Sequence, residues 1–434
     1  MSTSPATDEA PAADAFICDC EEWARSACKA LTFFKEHEGK RYCVLHYPAA
    51  EKSAAFNEAL RRKLDAQDFD FRGVWFPDKV DFSNLTFPTF VDFTGATFGA
   101  AAMFDSATFG AGADFSHATL CMRASFDSAT FGAEAKFVTT TFNATASFFY
   151  TTFTSTANFF YATFGGRAYF VSDTFKATAY FNSATFKDYA IFSGDVGKSI
   201  FGDASSLNLQ FARIENPHRV SFHTLTLRPH MFNNVDAREF EFINVDWNWQ
   251  GIDIRREIVG VGGTDVLSSH RLLAVACRNL AVNAEENHRY EEASRFRYMA
   301  MDARRLERWR GLVPWRLSWW YWLASGYGER VWRAFVVLLA VWLVAAALYT
   351  QLGFVRWEPR VSNEREAAEA RRDEAGAPLR LPRALTYSLG VMTLQKPEPR
   401  PATNWAQAVV MLETILGPVQ AALLALAIRR KFMR

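Results

Sequence analysis

Five residues near the amino terminus have the chemistry of soft-metal ligands: Cys18, Cys20, Cys28, Cys43 and His46. Zinc takes four thiolate or imidazole ligands, often in pairs a few residues apart, and Cys43 and His46 have that spacing. Cys28 with either Cys18 or Cys20 completes a set of four. A short segment with few large apolar side chains also gains stability from a bound metal. The competing reading is a group of reduced thiols packed against the end of the next domain. Four of the six cysteines precede residue 44, and that density favours zinc.

A second set of candidate residues lies near the carboxyl terminus. Thr393, Leu394, Gln395, Lys396 and Glu398 follow a short segment opened by Pro382, and Glu413, Gly417 and Pro418 interrupt an apolar run. An unpaired carboxylate in hydrocarbon is costly, so Glu413 is a functional candidate; the alternative is an interfacial position paired with a loop arginine. Gly417 and Pro418 suit a hinge or kink, or Gly417 simply eases helix packing. His270 and His288 have no acid or nucleophile nearby in the sequence. With no phosphate loop or catalytic metal signature either, an enzyme is not expected.

The stretch from Phe71 to Phe192 has to position everything else. Phenylalanine recurs every eleven residues there, at 71, 82, 93, 104, 115, 126, 137, 148, 159, 170, 181 and 192. A second set follows five residues behind, from Phe76 to Phe186, with Leu120 in one place. Two residues before many of these stands an alanine, so the unit is Ala-x-Phe. A helix would put residues five apart about 140° from one another, so the two sets could not share a stripe. In an extended chain residues two apart face one side, and Ala and Phe both point inward. Four such faces, at steps of five, six, five and six residues, close one coil, with the extra residue at a corner. Coils stacked at roughly 4.8 Å place Phe82 under Phe104 and Phe104 under Phe126. The expected core ladder includes Phe82, Phe93, Phe104, Phe126, Phe148 and Phe170.

Residues 1–15 read as a disordered tail without signal-peptide character. Residues 16–68 join the Cys/His segment to a helix over Glu51–Asp65, its apolar stripe Phe56, Leu60 and Leu64, and together they cap the coil end. The repeat runs over 69–247, less regularly after Phe192, through Phe201, Phe211, Phe222, Phe232 and Phe242. Residues 264–310 predict two amphipathic helices, and 311–333 an aromatic segment of membrane-boundary type. Ala334–Leu352 and Ala406–Ile428 are each long and apolar enough to span a bilayer. Basic residues outside both spans place both termini in the cytoplasm, with the chain in a bacterial-type inner membrane. Asn363–Glu374 predicts a solvated helix, and Gly326-Tyr327-Gly328 a turn feeding the first span. The chain carries a formal net charge of +1, and the charges on the repeat are sparse and mixed, so nucleic acid is not an expected partner.

The Ala-x-Phe rhythm resembles the pentapeptide-repeat family, whose fold is a right-handed quadrilateral β-helix, here with alternating five- and six-residue steps. That resemblance implies a β-solenoid with a solid bore and leaves function open. Tyr290, Ala293 and Phe296 ahead of Arg304 and Arg305 resemble a helical connector of bacterial membrane proteins. The carboxyl-terminal half resembles the two-transmembrane potassium-channel module: Ala384-Leu385-Thr386-Tyr387-Ser388-Leu389 is similar to its pore-helix string, and Glu413 and Gly417 stand where its inner helix often has Glu and a hinge Gly. The resemblance implies a re-entrant pore helix over 382–394, an oligomer, tetrameric by analogy, and contact with membrane lipid. The filter departs from the family: Thr393-Leu394-Gln395-Lys396-Pro397-Glu398-Pro399 has no glycine and two prolines. A stacked-carbonyl filter cannot form from it, and potassium selectivity is not implied. Two readings follow. One is a non-potassium-selective pore whose cytoplasmic β-helix serves assembly or gating. The other is a membrane-anchored scaffold whose β-helix binds a cytoplasmic protein.

Overall fold

The computed structural model describes residues 16–28, 31–195, 200–201, 205–249, 254–260, 266–307, 317–355 and 377–432. The tail at 1–15 and the helix expected at Asn363–Glu374 lie outside them. The chain divides into two compact units, Met1–Gly262 and Gly263–Arg434.

The first unit is a β-solenoid. Strands of two to four residues form four parallel sheets of six, seven, eight and five strands. The register is 22 residues, as in Ala113↔Ala135 and Thr119↔Thr141. One coil therefore has four faces, and each Ala and Phe of a unit points into the bore, with Ala102, Phe104, Ala124 and Phe126 all fully buried. The rings stack down each sheet: Phe82 on Phe104 at 5.3 Å, Phe104 on Phe126 at 4.9 Å, Phe126 on Phe148 at 5.0 Å and Phe148 on Phe170 at 5.0 Å. Phe93 does not belong to that column. It stacks on Phe115 at 4.8 Å in the neighbouring ladder and meets Phe104 edge-on at 5.7 Å, because eleven residues are half a coil. Burying each ring contributes about 1.5–3 kcal/mol.

Two kinds of corner alternate. After each Phe of the first set the chain turns tightly: the amide of Ala96 donates to the Phe93 carbonyl at 2.9 Å, and Gly95 between them has φ +65°. The same left-handed position is filled by Ser106, His117, Ser128, Thr139, Tyr150 and Tyr161 further along. For side chains this large the conformation costs about 1–2 kcal/mol, which the fixed coil geometry imposes. After each Phe of the second set the corner carries the extra residue.

Beyond Phe192 the coil length varies. Strand partners stand 28 residues apart at Ala179↔Leu207 and 30 apart at Phe192↔Phe222, and the last pair, Phe222↔Phe242, stands only 20 residues apart. Phe192, Phe222 and Phe242 still stack, at 5.1 and 5.4 Å. Phe211 is not in the bore. It is exposed, in the left-handed corner position two residues after the buried Leu209, which takes the inward place instead. A helix that the sequence did not announce, Ile254–Gly260, follows the last coils. Its Glu257, fully buried, accepts from the backbone and ring nitrogens of His230.

The amino-terminal end is covered by a short 3-10 helix Glu22–Cys28, a hairpin Phe33–His37 with Lys40–Cys43, and the helix Ser53–Asp65. Phe56 meets Phe76 edge-on at 5.4 Å. The buried stripe of that helix is Phe56, Ala59, Leu60 and Lys63; Lys63 places its ammonium 5.7 Å from the Phe71 ring and donates to Asp68. The Leu45 carbonyl accepts from the amide of Trp75 at 3.0 Å, so the edge of the first strand is paired rather than open.

In the second unit, helices Val266–Glu286 and Tyr290–Leu306 pack together, burying Leu273, Ala276, Leu280, Ala293 and Phe296. His270 is buried and His288 exposed. Helix Leu317–Ser325 precedes a turn at Gly326, Tyr327 and Gly328, all with positive φ. Two helices, Val331–Tyr349 and Asn404–Lys431 of a helix that ends at Phe432, are long and apolar enough to cross a membrane. Only 17% of each apolar window is buried, unlike the core helix of a water-soluble domain. Pro418 sits inside the second of them.

Candidate functional site

Cys18, Cys28, Cys43 and His46 converge into a buried cluster whose ligand atoms all lie within 4.8 Å of one another. They come from either end of the 3-10 helix and from the end of the hairpin. The His46 ring makes two contacts that set its role. Its Nε2 is 2.9 Å from the carbonyl oxygen of Arg72, which can only accept, so Nε2 carries the proton. Nδ1 then faces the sulfurs, 3.2 Å from Cys43 Sγ and 3.9 Å from Cys18 Sγ. The amide of Cys43 donates to Cys18 Sγ at 3.3 Å. Cys20 is only half-buried and lies outside the set of four. The choice between Cys18 and Cys20 thus falls on Cys18.

The thiols share their protons unevenly. Hydrogen bonds from Cys20, Cys28 and Cys43 draw the Cys18 thiol down. Bonding to Cys18 pushes Cys20 up to about 12, and pushes Cys28 and Cys43 up as well. Burial pulls His46 down, but its bonds to Cys18 and Cys43 outweigh this and raise it to about 9. Nearby, the buried Lys52 amine donates to the Leu45 carbonyl at 2.7 Å; burial pulls it down to about 7 against the charges of Cys43 and Cys18. The cluster can hold a metal ion: a zinc bonded to sulfur at about 2.3 Å wants ligand atoms about 3.8 Å apart.

The second candidate region is the carboxyl-terminal hairpin. The helix Leu381–Met392, with Pro382 in its first turn, packs on both apolar helices and buries Ala384, Tyr387, Ser388, Gly390 and Val391. Trp342 Nε1 donates to the Leu385 carbonyl at 3.0 Å, and Ser388 Oγ lies 3.2 Å from the Trp342 carbonyl. Glu413 is buried and accepts from the hydroxyls of Tyr349 and Ser388. It is therefore an internal tie between three helices, and no arginine or lysine among the described residues pairs with it. A Cβ on Gly417 would fall 2.9 Å from Met392 Cγ and 3.1 Å from its Cα. That glycine is a place of backbone approach. Gln420, which the sequence did not single out, donates to the carbonyls of Ala324 and Ala334 at 2.7 and 2.8 Å.

Comparison of the chain with protein-family profiles, curated proteins and solved structures returned no match.

Thr393, Leu394, Gln395, Lys396 and Glu398 leave the short helix as an exposed turn. Leu394 is left-handed, and the Gln395 amide donates back to the Gly390 carbonyl at 2.9 Å, ending the helix with a C-terminal cap. At the other end of the hairpin, the buried Glu329 accepts from Ser294 Oγ at 2.6 Å and pairs with Arg297 and Arg430, each at 3.3 Å. Arg430 also donates to the Tyr327 carbonyl at 3.0 Å. The glycine-flanked turn and the end of the last helix are thus joined to the helix Tyr290–Leu306. Sequence reading found the turn but not this junction, because its members lie up to 136 positions apart.

Proposed function

We propose that the chain is one subunit of an oligomeric membrane pore, tetrameric by the channel resemblance. Its solenoid, of the pentapeptide-repeat kind, serves assembly or gating on the cytoplasmic side. The hairpin lies in a bacterial-type inner membrane with both termini cytoplasmic. The observation that carries this reading is the depth of the short helix. Ser388 reaches Trp342 and Met392 reaches Gly417, residues near the middle of the two long apolar helices. The chain must then leave a helix within the hydrocarbon layer, with Thr393, Gln395 and Lys396 exposed. Irregular backbone at that depth is tolerated only when buried in protein or bordering water. Further copies around a central aqueous path supply both.

A membrane-anchored scaffold is the alternative. It has a use for two spans, but none for a half-length helix tied into both by Glu413. The pore has no stacked-carbonyl filter, and the exposed charges of Lys396, which would favour anions, and Glu398, which would favour cations, set its ion preference. In the same reading zinc occupies the cluster of Cys18, Cys28, Cys43 and His46, because three thiolates and one imidazole within 4.8 Å of one another suit that ion.

The test is conductance of the purified protein in lipid vesicles, with its mass measured in detergent. An oligomer that passes ions, with the charge preference moved by Lys396→Glu, is the expected result. A correctly assembled oligomer that stays silent in vesicles would leave the scaffold.

A further inference from the structure

We infer that the metal in this cluster is a latch that holds the amino-terminal cap on the first coil of the solenoid, an inference that rests on the zinc reading above. Four observations place the cluster at that seam. His46 faces both ways: Nδ1 looks into the sulfurs, while Nε2 donates to the carbonyl of Arg72, which begins the first tight corner. Gly73 at that corner is left-handed, and a Cβ there would fall 2.8 Å from Ala24 Cβ and 3.5 Å from the His46 ring. The cap thus sits against backbone. Trp23 approaches the equivalent corner one coil further on, Gly95, so closely that a Cβ would meet its ring at 2.3 Å. Between the two ligands Cys43 and His46, Leu45 offers the carbonyl that pairs the free edge of the first strand at Trp75.

The apolar content of residues 16–46 does not account for this seating. Among the described residues there, Ile17, Trp23 and Phe33 are exposed, and the buried side chains are small or are the ligands themselves apart from Leu45. Bound to three thiolates and an imidazole, a zinc ion fixes the 3-10 helix, the hairpin end and the His46 ring at one point. The ring's outer nitrogen is then held on Arg72, as metal-bound imidazoles are commonly oriented by a carbonyl on the far nitrogen. Removing the metal frees these segments from each other, and the edge at Trp75 loses its cover. The coils further along keep their own contacts, since each coil touches only its neighbours.

The experiment uses the full-length protein in detergent. Zinc is measured by elemental analysis, and hydrogen exchange is followed by mass spectrometry for peptides covering 69–80 and, as a control, 130–150. About one zinc per chain is expected. Stripping it with a chelator should speed exchange at Trp75 and its neighbours by about five- to thirtyfold and leave the control unchanged. His46→Cys separates the two claims, because a fourth thiolate still completes a zinc site but cannot bond to Arg72. Retained zinc with faster exchange at Trp75 supports the latch. Retained zinc with unchanged exchange, or chelation without any effect on 69–80, overturns the latch and spares the zinc reading. A wild-type chain that binds no zinc overturns both.

Discussion

Replacing Phe126 with alanine probes how the solenoid holds itself. Phe126 is fully buried. Its ring stacks on Phe104 at 4.9 Å and Phe148 at 5.0 Å, and meets Phe115 and Phe137 edge-on at 5.4 and 5.5 Å. Removing it loses the transfer free energy of the ring and opens a cavity that stacked neighbours cannot collapse into, about 3–5 kcal/mol together. The two stacked pairs put the value toward the upper end. In a one-dimensional stack that loss is local. The amides of Phe104, Ser106 and Phe126, which donate to Ser125, Asp127 and Ser147 at 2.7, 2.7 and 2.8 Å, should exchange hydrogen faster by up to about a thousandfold. The amides of Phe71 and Arg213, more than two coils away on either side, should change little. Phe126→Leu should recover part of the loss. Equal acceleration in every coil would refute the reasoning, because the solenoid would then unfold as one cooperative block.

Three further outcomes are expected. Cys18→Ser should cut zinc content whereas Cys20→Ser should leave it near wild type, read by elemental analysis of the purified protein. Glu413→Ala should lower the melting temperature in detergent, since two buried hydroxyls lose their acceptor at about 1–3 kcal/mol for each left unsatisfied, and Glu413→Gln should lose less. Asp173→Asn should stabilise the solenoid at neutral pH. Burial holds the Asp173 carboxyl well above its ordinary value of 3.8, and its Oδ2 has no partner. A raised folded value favours the protonated fold, so its contribution is intact below pH 3.8 and erodes as pH rises. Asparagine, which keeps an acceptor for the Thr151 amide, escapes that erosion. Denaturation curves at pH 3 and pH 7 should converge at the lower value, and a constant offset would speak against the mechanism.

The regular coils were legible because one residue type marks every inward position at one period. Legibility ended where the coil length changed. Phe211 keeps the spacing of the series, yet a 28-residue coil moves it to a corner and gives the bore to Leu209. The helix at Ile254–Gly260 is seven residues long, and its anchor is Glu257 on His230, a contact that no local pattern encodes. Cys18 and Cys20 are alike in sequence, and only the fold of the cap separates them. Glu413 showed as an anomaly in an apolar run, but its partners Tyr349 and Ser388 lie 64 and 25 positions away. The exposed turn from Thr393 to Glu398 was found from its departure from a known motif rather than from any periodicity.

The 22-residue register makes the column a ruler with fixed graduations. Inserting or deleting 22 residues changes its length by one strand spacing, about 4.8 Å, and returns every later side chain to the face it had before. Removing eleven keeps the phenylalanines inside but carries all downstream residues to the opposite wall. Within the regular coils any other number breaks the phase, unless the difference is absorbed between strands as in the 28- and 30-residue coils. Length in this protein can therefore be adjusted only in whole steps, and whatever distance the column sets between its two ends is quantised.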